Sequence, residues 1–582
     1  MSKTAFAALI DDYLHARSKA SPIFATLMGI EGYDALVDNV SPEGRAATVA
    51  DLQALDARAE ELATDDLDAD DLVDIEALRC DLRASIAVEE RFRPWSRNPQ
   101  EGPLTATFAV YSLLIRAGAE GPDPAALRSR LELVPELLER ARRSIEDPRE
   151  VPPTWAQVAL GVIAGAEQFY REGLAQALAG HSALADDLEA PCARVLESLE
   201  AYRAWIEREV LPVAAGDFAA GPELFGLLLE SSQGLDQSAE EILARGHEEI
   251  RRLSGELERV AIHLGGRDWR ALQESYKAIH PTAEELLTVY TRDLARAKRF
   301  VGAKGLATIP KPDRLEIQET PAFERATTPF AAYISPPPFT RSRRNPPAAY
   351  FWVTPPDPAL SAEAREGHLR GHSTLDIPLT ALHEGYPGHH LQFTRQAWLD
   401  RPIRKVAHAA AMFEGWALYC EQMMFEEGFL ADPRQELMML AAQLWRACRV
   451  VIDVGLHTGG LDHAGAVRML VEIAGIEAPQ AEVEVNRYTM SPTNPLSYMA
   501  GKWMLIELRE ELRRREGKDF RLGDFHDQLL SYGAIPIRLI RDALLAKGDG
   551  AGRSEIEPEH PARRGAPISS RSPRRLRRPG PA

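Results

Sequence analysis

The 582-residue chain is poor in cysteine, in long apolar runs and in positive charge. Its four cysteines, Cys80, Cys192, Cys420 and Cys448, are too few and too scattered for a disulfide framework or a CxxC metal site, so reduced thiols are expected. No stretch approaches the ~18 uncharged apolar residues of a membrane-spanning helix. The start, MSKTAFAALIDDYLHARSKA, places Asp11 and Asp12 where a signal peptide needs an unbroken apolar run. These lacks point to a cytoplasmic chain with no membrane partner. Acidic residues outnumber basic ones by 87 to 68 for a net charge of −19, and residues 561–582 carry seven Arg and no acid, so the rest is more acidic still. Phosphate binding depends on clustered positive charge, which argues against a nucleic-acid partner.

What is present is helix. Apolar residues recur at helical spacing in Leu52, Leu55, Ala59 and Leu62, and again in Leu127, Leu131, Leu133, Leu137 and Leu138. Residues 1–304 read as a helical amino-terminal layer. Residues 305–360 are Pro-rich and hold the best strand candidate, AYFWVT (Ala349 to Thr354), expected as an edge strand along a channel. Helices resume over residues 361–546, the expected catalytic half, and residues 547–582 have the composition of a disordered basic tail. The expected fold is mainly α, with a small β segment near the channel.

The informative stretch is His383-Glu-Gly-Tyr-Pro-Gly-His-His390. A zincin helix places two His one turn apart, as HExxH, with the Glu beside the first His activating water. Here position i+4 from His383 is Pro387. On an ideal helix His389 would point about 120° away from His383 and sit ~9 Å further along, too far to share a metal. Pro387, however, cannot donate to the carbonyl of His383 and its ring clashes there, so a regular helix is excluded. Gly388 gives the backbone freedom for a two-residue bulge, which would return His389 to the position of the second ligand. Glu414, in FEGWALYCE, follows by a distance that allows a second packed helix, and is the third candidate ligand. Glu421, two turns along the same face, is placed to support a ligand His. His368 and His372 share the i,i+4 spacing but lack an adjacent Glu, and are read as loop histidines.

HEGYPGHHLQ and FEGWALYCEQ, together with RACRVVIDVGLH (Arg446 to His457), EVNRYTMSPTNPLSYMAGK (Glu484 to Lys502) and the earlier SPIFATLMGIEGYD, resemble the bacterial family known as domain of unknown function 885, placed among gluzincin-like zinc metallopeptidases. The resemblance covers most of residues 5–545. It implies a large helical metallopeptidase-like fold, one Zn2+ per chain held by His383, His389 and Glu414, and Glu384 as general base. Tyr498 resembles the tyrosine that helical gluzincin dipeptidases present to the scissile carbonyl.

Other candidates follow from chemistry. Asp453 and His457 are i,i+4, so the carboxylate is able to orient the imidazole towards a substrate, and His457 joins the catalytic candidates. Arg487, with Tyr488, offers a fork for a peptide's terminal carboxylate, although Arg487 is equally placed to pair with Glu484. The expected activity is zinc-dependent hydrolysis of short peptides, by a dipeptidase, carboxypeptidase or oligopeptidase. The alternatives are a metal-dependent hydrolase or tailoring enzyme acting on a small non-peptide amide, and a non-catalytic helical binding protein.

Overall fold

In a computed structural model of the chain, the described residues are 2–117, 121–321, 324, 325, 328, 330–339 and 347–549. Most of the tail read as disordered, from residue 550 on, lies outside the described residues.

The protein is mainly α, with a single three-stranded sheet among the described residues. The helical spacing has its counterpart in burial. Leu52, Leu55 and Ala59 are buried against Leu9, Tyr13 and Leu78. Leu127, Leu131, Leu137 and Leu138 join a second core with Val110 and Ile163. The largest core is built where the helices Ala239–His263, Ala410–Glu426, Pro433–Thr458 and Asn494–Glu516 pack together. The longest of these, Pro433–Thr458, begins at a capping box of Asp432 and Gln435, has Pro433 in its first turn, and stops at Gly459 in the left-handed region. No helix among the described residues is long and apolar enough to cross a membrane.

The sheet comprises β1 (Leu315–Glu319), β2 (Ala331–Ile334) and β3 (Ala349–Val353), in the order β1-β3-β2. The AYFWVT segment is therefore the central strand and not an edge, parallel to β1 and antiparallel to β2. The physical reason is its unbroken apolar run: Phe351, Trp352 and Val353 are all buried, and a strand apolar on both faces belongs inside a sheet. The edge that lies against the His383 turn belongs to β2. Phe351 and Val353 pack with Tyr290, Leu294, Ile377 and Ala381, so the sheet supports the turn that carries the HE pair. His368 lies in the last turn of the helix Ala362–Arg370, not in a loop as expected, and His372 in the turn after it; both place Nε2 on the Thr354 carbonyl, at 2.9 and 3.1 Å, and close the end of β3.

The helices Ala410–Glu426 and Asn494–Glu516 approach until their backbones touch. A Cβ on Gly501 would stand 1.8 Å from the Ala411 carbonyl oxygen, and one on Gly415 would stand 2.5 Å from the Gly501 carbonyl carbon. Backbone cannot give way there as a flexible side chain would. Gly501→Ala should therefore destabilise by roughly 2–3 kcal/mol in urea unfolding, the range of an overpacked core. Gly302 lies in the helix Leu286–Lys304 with nothing within 4 Å of the same position, so Gly302→Ala should instead stabilise, by up to about 1 kcal/mol. Equal behaviour of the two variants would show that the helices are free to separate.

Candidate metal-binding site

The HE pair sits in a π-helical turn, Ala381–Gly385, that continues the short helix Ile377–Thr380. Tyr386 then turns extended, at φ −115° and ψ 125°, and a new helix begins at His389. The chain thus breaks over Tyr386, Pro387 and Gly388, where sequence reasoning placed a two-residue bulge in a continuing helix. Gly388 is required, because a Cβ there would stand 1.9 Å from the His383 carbonyl oxygen. The Gly388 amide donates to the Leu382 carbonyl at 3.0 Å, and Trp416 Nε1 donates to the Pro387 carbonyl at 2.9 Å, so the break is pinned on both sides.

The break brings His389 back to His383, with ring centroids 4.9 Å apart and planes at 88°. Glu414 enters from the helix Ala410–Glu426, its Oε2 lying 3.4 Å from His389 Nε2 and 3.9 Å from His383 Nε2. One donor atom from each of the three lies within 4.8 Å of the others, so His383, His389 and Glu414 could hold a metal ion. Burial pushes the Glu414 carboxyl up, but the two imidazoles and the Tyr498 hydroxyl outweigh it and hold it at about 2. Burial pushes the His389 imidazole down, and Glu414 reverses this and raises it.

His383 Nδ1 lies 2.7 Å from Glu421 Oε1. With Nδ1–H donated to that carboxylate, Nε2 is left with its lone pair towards Glu414. His389 has no such support: its Nδ1 is buried without a partner among the described residues, and the ring is oriented by packing on Phe393 and Phe413. Glu384 and Tyr498 line, with His383, a cavity of about 440 Å³ that reaches Phe330 beside β2. The Tyr498 hydroxyl meets the Glu414 carboxylate, and burial, ahead of the Glu414 charge, pushes its phenol up.

His390 turns away. Its Nε2 lies 2.7 Å from Asp313 Oδ1, and Asp313 also accepts from Tyr386 and pairs with Lys298, tying the chain break to the helix Leu286–Lys304.

Three residues expected at the site are elsewhere. His457 is fully buried and stacked on Phe225, with Nε2 3.0 Å from the Tyr488 carbonyl and Nδ1 accepting from the Ala220 amide. Both nitrogens are used by backbone, and burial pushes its pKa down to about 4, so the ring is a neutral internal strut. Its 3.9 Å separation from Asp453 is too long for a hydrogen bond. Tyr488 is fully buried, its hydroxyl accepting from Arg449 Nε at 2.7 Å. Arg487 is 46% exposed, pairs with Glu484 at 2.8 Å, and is absent from the cavity wall. The arginines that do line the cavity are Arg370, Arg446 and Arg449. For two of them the signal in sequence was a pair of charges three residues apart, Arg446 and Arg449, in the mostly apolar stretch from Leu437 to Ile452.

Fold and site together define a large, mainly helical protein with a buried cluster of two histidines and a glutamate opening on a cavity. The pattern of the family described as bacterial protein of unknown function (DUF885) matches residues 22–544, and the chain belongs to that family. No curated protein matches it significantly. Two solved structures share the fold. One, from Shewanella oneidensis, is described as a putative lipoprotein of unknown function, at TM-score 0.76 and 22% identity over 93% of this chain and 99% of that one. The other, from Colwellia psychrerythraea, is also described as a putative lipoprotein, at TM-score 0.80 and 21% identity over 94% of this chain and 100% of that one. These neighbours correct the expectation of a cytoplasmic chain, since a lipoprotein description points outside the cytoplasm. Scattered unpaired cysteines do not decide the compartment in a protein whose large core needs no disulfide.

Asp453 has a structural task instead of a catalytic one. Its two oxygens accept from the amides of Thr493 and Leu496, at 3.1 and 3.0 Å, at the start of the helix that carries Tyr498. Thr493 is held there at φ +67°, a costly conformation for a β-branched residue. Asp453→Ala strands two buried amides and should lower stability by about 2–4 kcal/mol, with Asp453→Asn losing less. Thermal unfolding at matched pH measures both, and a wild-type melting temperature for Asp453→Ala would show that Thr493 is held by other contacts.

Proposed function

We propose that the protein is a zinc-dependent hydrolase of short peptides, of the gluzincin-like class, holding one Zn2+ per chain. The observation that carries this reading is the convergence of His383, His389 and Glu414 donors within 4.8 Å, with Glu384 on the wall of the adjoining cavity. Two imidazoles and one carboxylate form the donor set of a catalytic zinc site that keeps a fourth position open. Tetrahedral bonds of about 2.05 Å place donors roughly 3.3 Å apart, close to the 3.4 and 3.9 Å separations from Glu414. When bound, zinc supplies Lewis acidity, polarising a scissile carbonyl and acidifying water.

The chain's own groups do the rest. Glu384 takes the proton of the attacking water and passes it to the departing amine. Tyr498, whose phenol burial keeps protonated, donates to the oxyanion that forms on the substrate. Glu421 fixes the tautomer and direction of His383. The outer edge of β2, beside the HE turn and unpaired among the described residues, accepts an extended peptide as an added strand. A volume of about 440 Å³ suits a peptide of a few residues.

Elemental analysis and digestion of a peptide library test this directly. His383→Ala, His389→Ala and Glu414→Ala should each lose most bound zinc, and His390→Ala should retain it. Glu384→Gln should keep zinc and lose at least ~10²-fold in kcat/KM. Zinc-free wild-type protein, or a zinc-loaded Glu384→Gln protein with full activity, would overturn the reading.

A further inference from the structure

The cavity beside the histidine–glutamate cluster carries one cation that has no carboxylate within ion-pair distance among the described residues. Four cations line it: Lys277, Arg370, Arg446 and Arg449. Lys277 and Arg370 both pair with Glu274, each at 2.7 Å. Arg449 pairs with Glu484 at 3.3 Å and donates to Tyr488. Arg446 is left over. Among the described residues no carboxylate lies within ion-pair distance of it, its NH1 donates only to the Ala442 carbonyl of its own helix at 3.2 Å, and its Nε is buried with no partner. Burial, first, and the neighbouring Arg449 disfavour its charge, and Glu421 favours it only from beyond ion-pair distance. Glu421 is itself bonded to His383, and Glu384 and Asp376 on the same wall form no ion pair with it among the described residues. A half-buried guanidinium with a buried, unmade hydrogen bond at Nε is a liability unless an anion arrives.

The anion's place relative to the cluster follows from a chain of contacts. Arg446 precedes Arg449 by less than one helical turn, a rise of about 4.5 Å. The Arg449 guanidinium lies 4.8 Å from the Tyr498 ring centre, and the Tyr498 hydroxyl meets Glu414. A group held by Arg446 is thus a few extended residues, at about 3.4 Å each, from the metal donors.

We propose that Arg446 is a substrate-binding residue that takes a carboxylate of a short peptide, foremost its terminal carboxylate, and so confines cleavage to within a few residues of the carboxy terminus. The role expected of Arg487 passes to a residue that faces the cavity. The identity of the ligand as a peptide rests on the hydrolase reading above; its negative charge rests on the cavity alone.

The test is calorimetric titration of full-length, zinc-loaded Glu384→Gln protein with three otherwise identical tetrapeptides: free acid, carboxy-terminal amide, and an amide ending in Glu. The free acid should bind at least about tenfold more tightly than the plain amide, because a bidentate guanidinium–carboxylate contact is lost. Adding Arg446→Gln should abolish the difference without lowering the melting temperature, since it removes an unpaired charge. Arg446→Lys, keeping charge without the fork, should retain part of the preference and serves if the Gln variant fails to fold. If the Glu-ending amide binds like the free acid, the anchor reads any nearby carboxylate, and if it binds like the plain amide, the anchor reads the terminus alone. Equal binding of all three peptides, or a preference that survives Arg446→Gln, overturns the proposal. Mass spectrometry of the same peptides with wild-type protein separates the two readings. Acid preference without cleavage would remove the hydrolase and leave the anchor, and equal cleavage of acid and amide would remove the anchor and leave the hydrolase.

Discussion

The backbone contact between Gly415 and Gly501 is the constraint on which the site depends. Glu414 precedes one of these glycines, and Tyr498 lies about one turn before the other, so the distance between the helices sets the distance between a candidate ligand and the hydroxyl that touches it. The neighbours of Gly415 extend the arrangement. Glu414, Gly415 and Trp416 point in directions about 100° apart on the helix, towards the imidazoles, the Tyr498 helix and the Pro387 carbonyl in turn. Two turns on, Glu421 reaches back to His383. A single helix thus orients the other two parts of the cluster as well as contributing to it.

The chain break at Tyr386, Pro387 and Gly388 solves the complementary problem. A continuous helix would have carried His389 out of reach of His383, and the break returns it at the start of a second helix, where its ring packs on Phe393 and Phe413. Asp313 holds the other side of the break through Tyr386 and His390, which accounts for the second histidine of the pair being turned into the protein's interior. The two adjacent histidines therefore have separate tasks, one facing the cluster and the other fixing the loop that lets the first one do so.

The sequence was legible where information is local. Helical periodicity, the exclusion of a regular helix by Pro387, the need for Gly388, and the spacing that lets Glu414 and Glu421 approach two histidines all depend on residues close together in the chain. What was not legible depends on which face of an element meets which neighbour. Arg487 and Arg446 are both arginines on helices near the site, and only the packing shows that one is spent on Glu484 at the surface while the other looks into the cavity. The same holds for β3, whose apolar run speaks for burial but does not identify the strands β1 and β2 that flank it. Asp453 and His457 share a helix face at ideal spacing, yet each is satisfied by backbone from a different segment.

The charge distribution gives these local details a common direction. The chain carries a net −19, yet long-range repulsion of an anionic ligand is screened within about 8–10 Å at ordinary ionic strength. Inside the cavity only neighbouring groups count, and there the acids are nearly all partnered: Glu421 by His383, Glu414 by His389, Glu274 by Lys277 and Arg370, Glu484 by Arg449. Against that background Arg446, with no carboxylate within ion-pair distance among the described residues, and Glu384, beside the cluster, are the groups placed to act on something that enters. The helix Pro433–Thr458 tolerates the half-buried Arg446 because most of its other residues are buried apolar side chains in the largest core. That is the pattern of a site whose local electrostatic cost is carried by the stability of the scaffold around it.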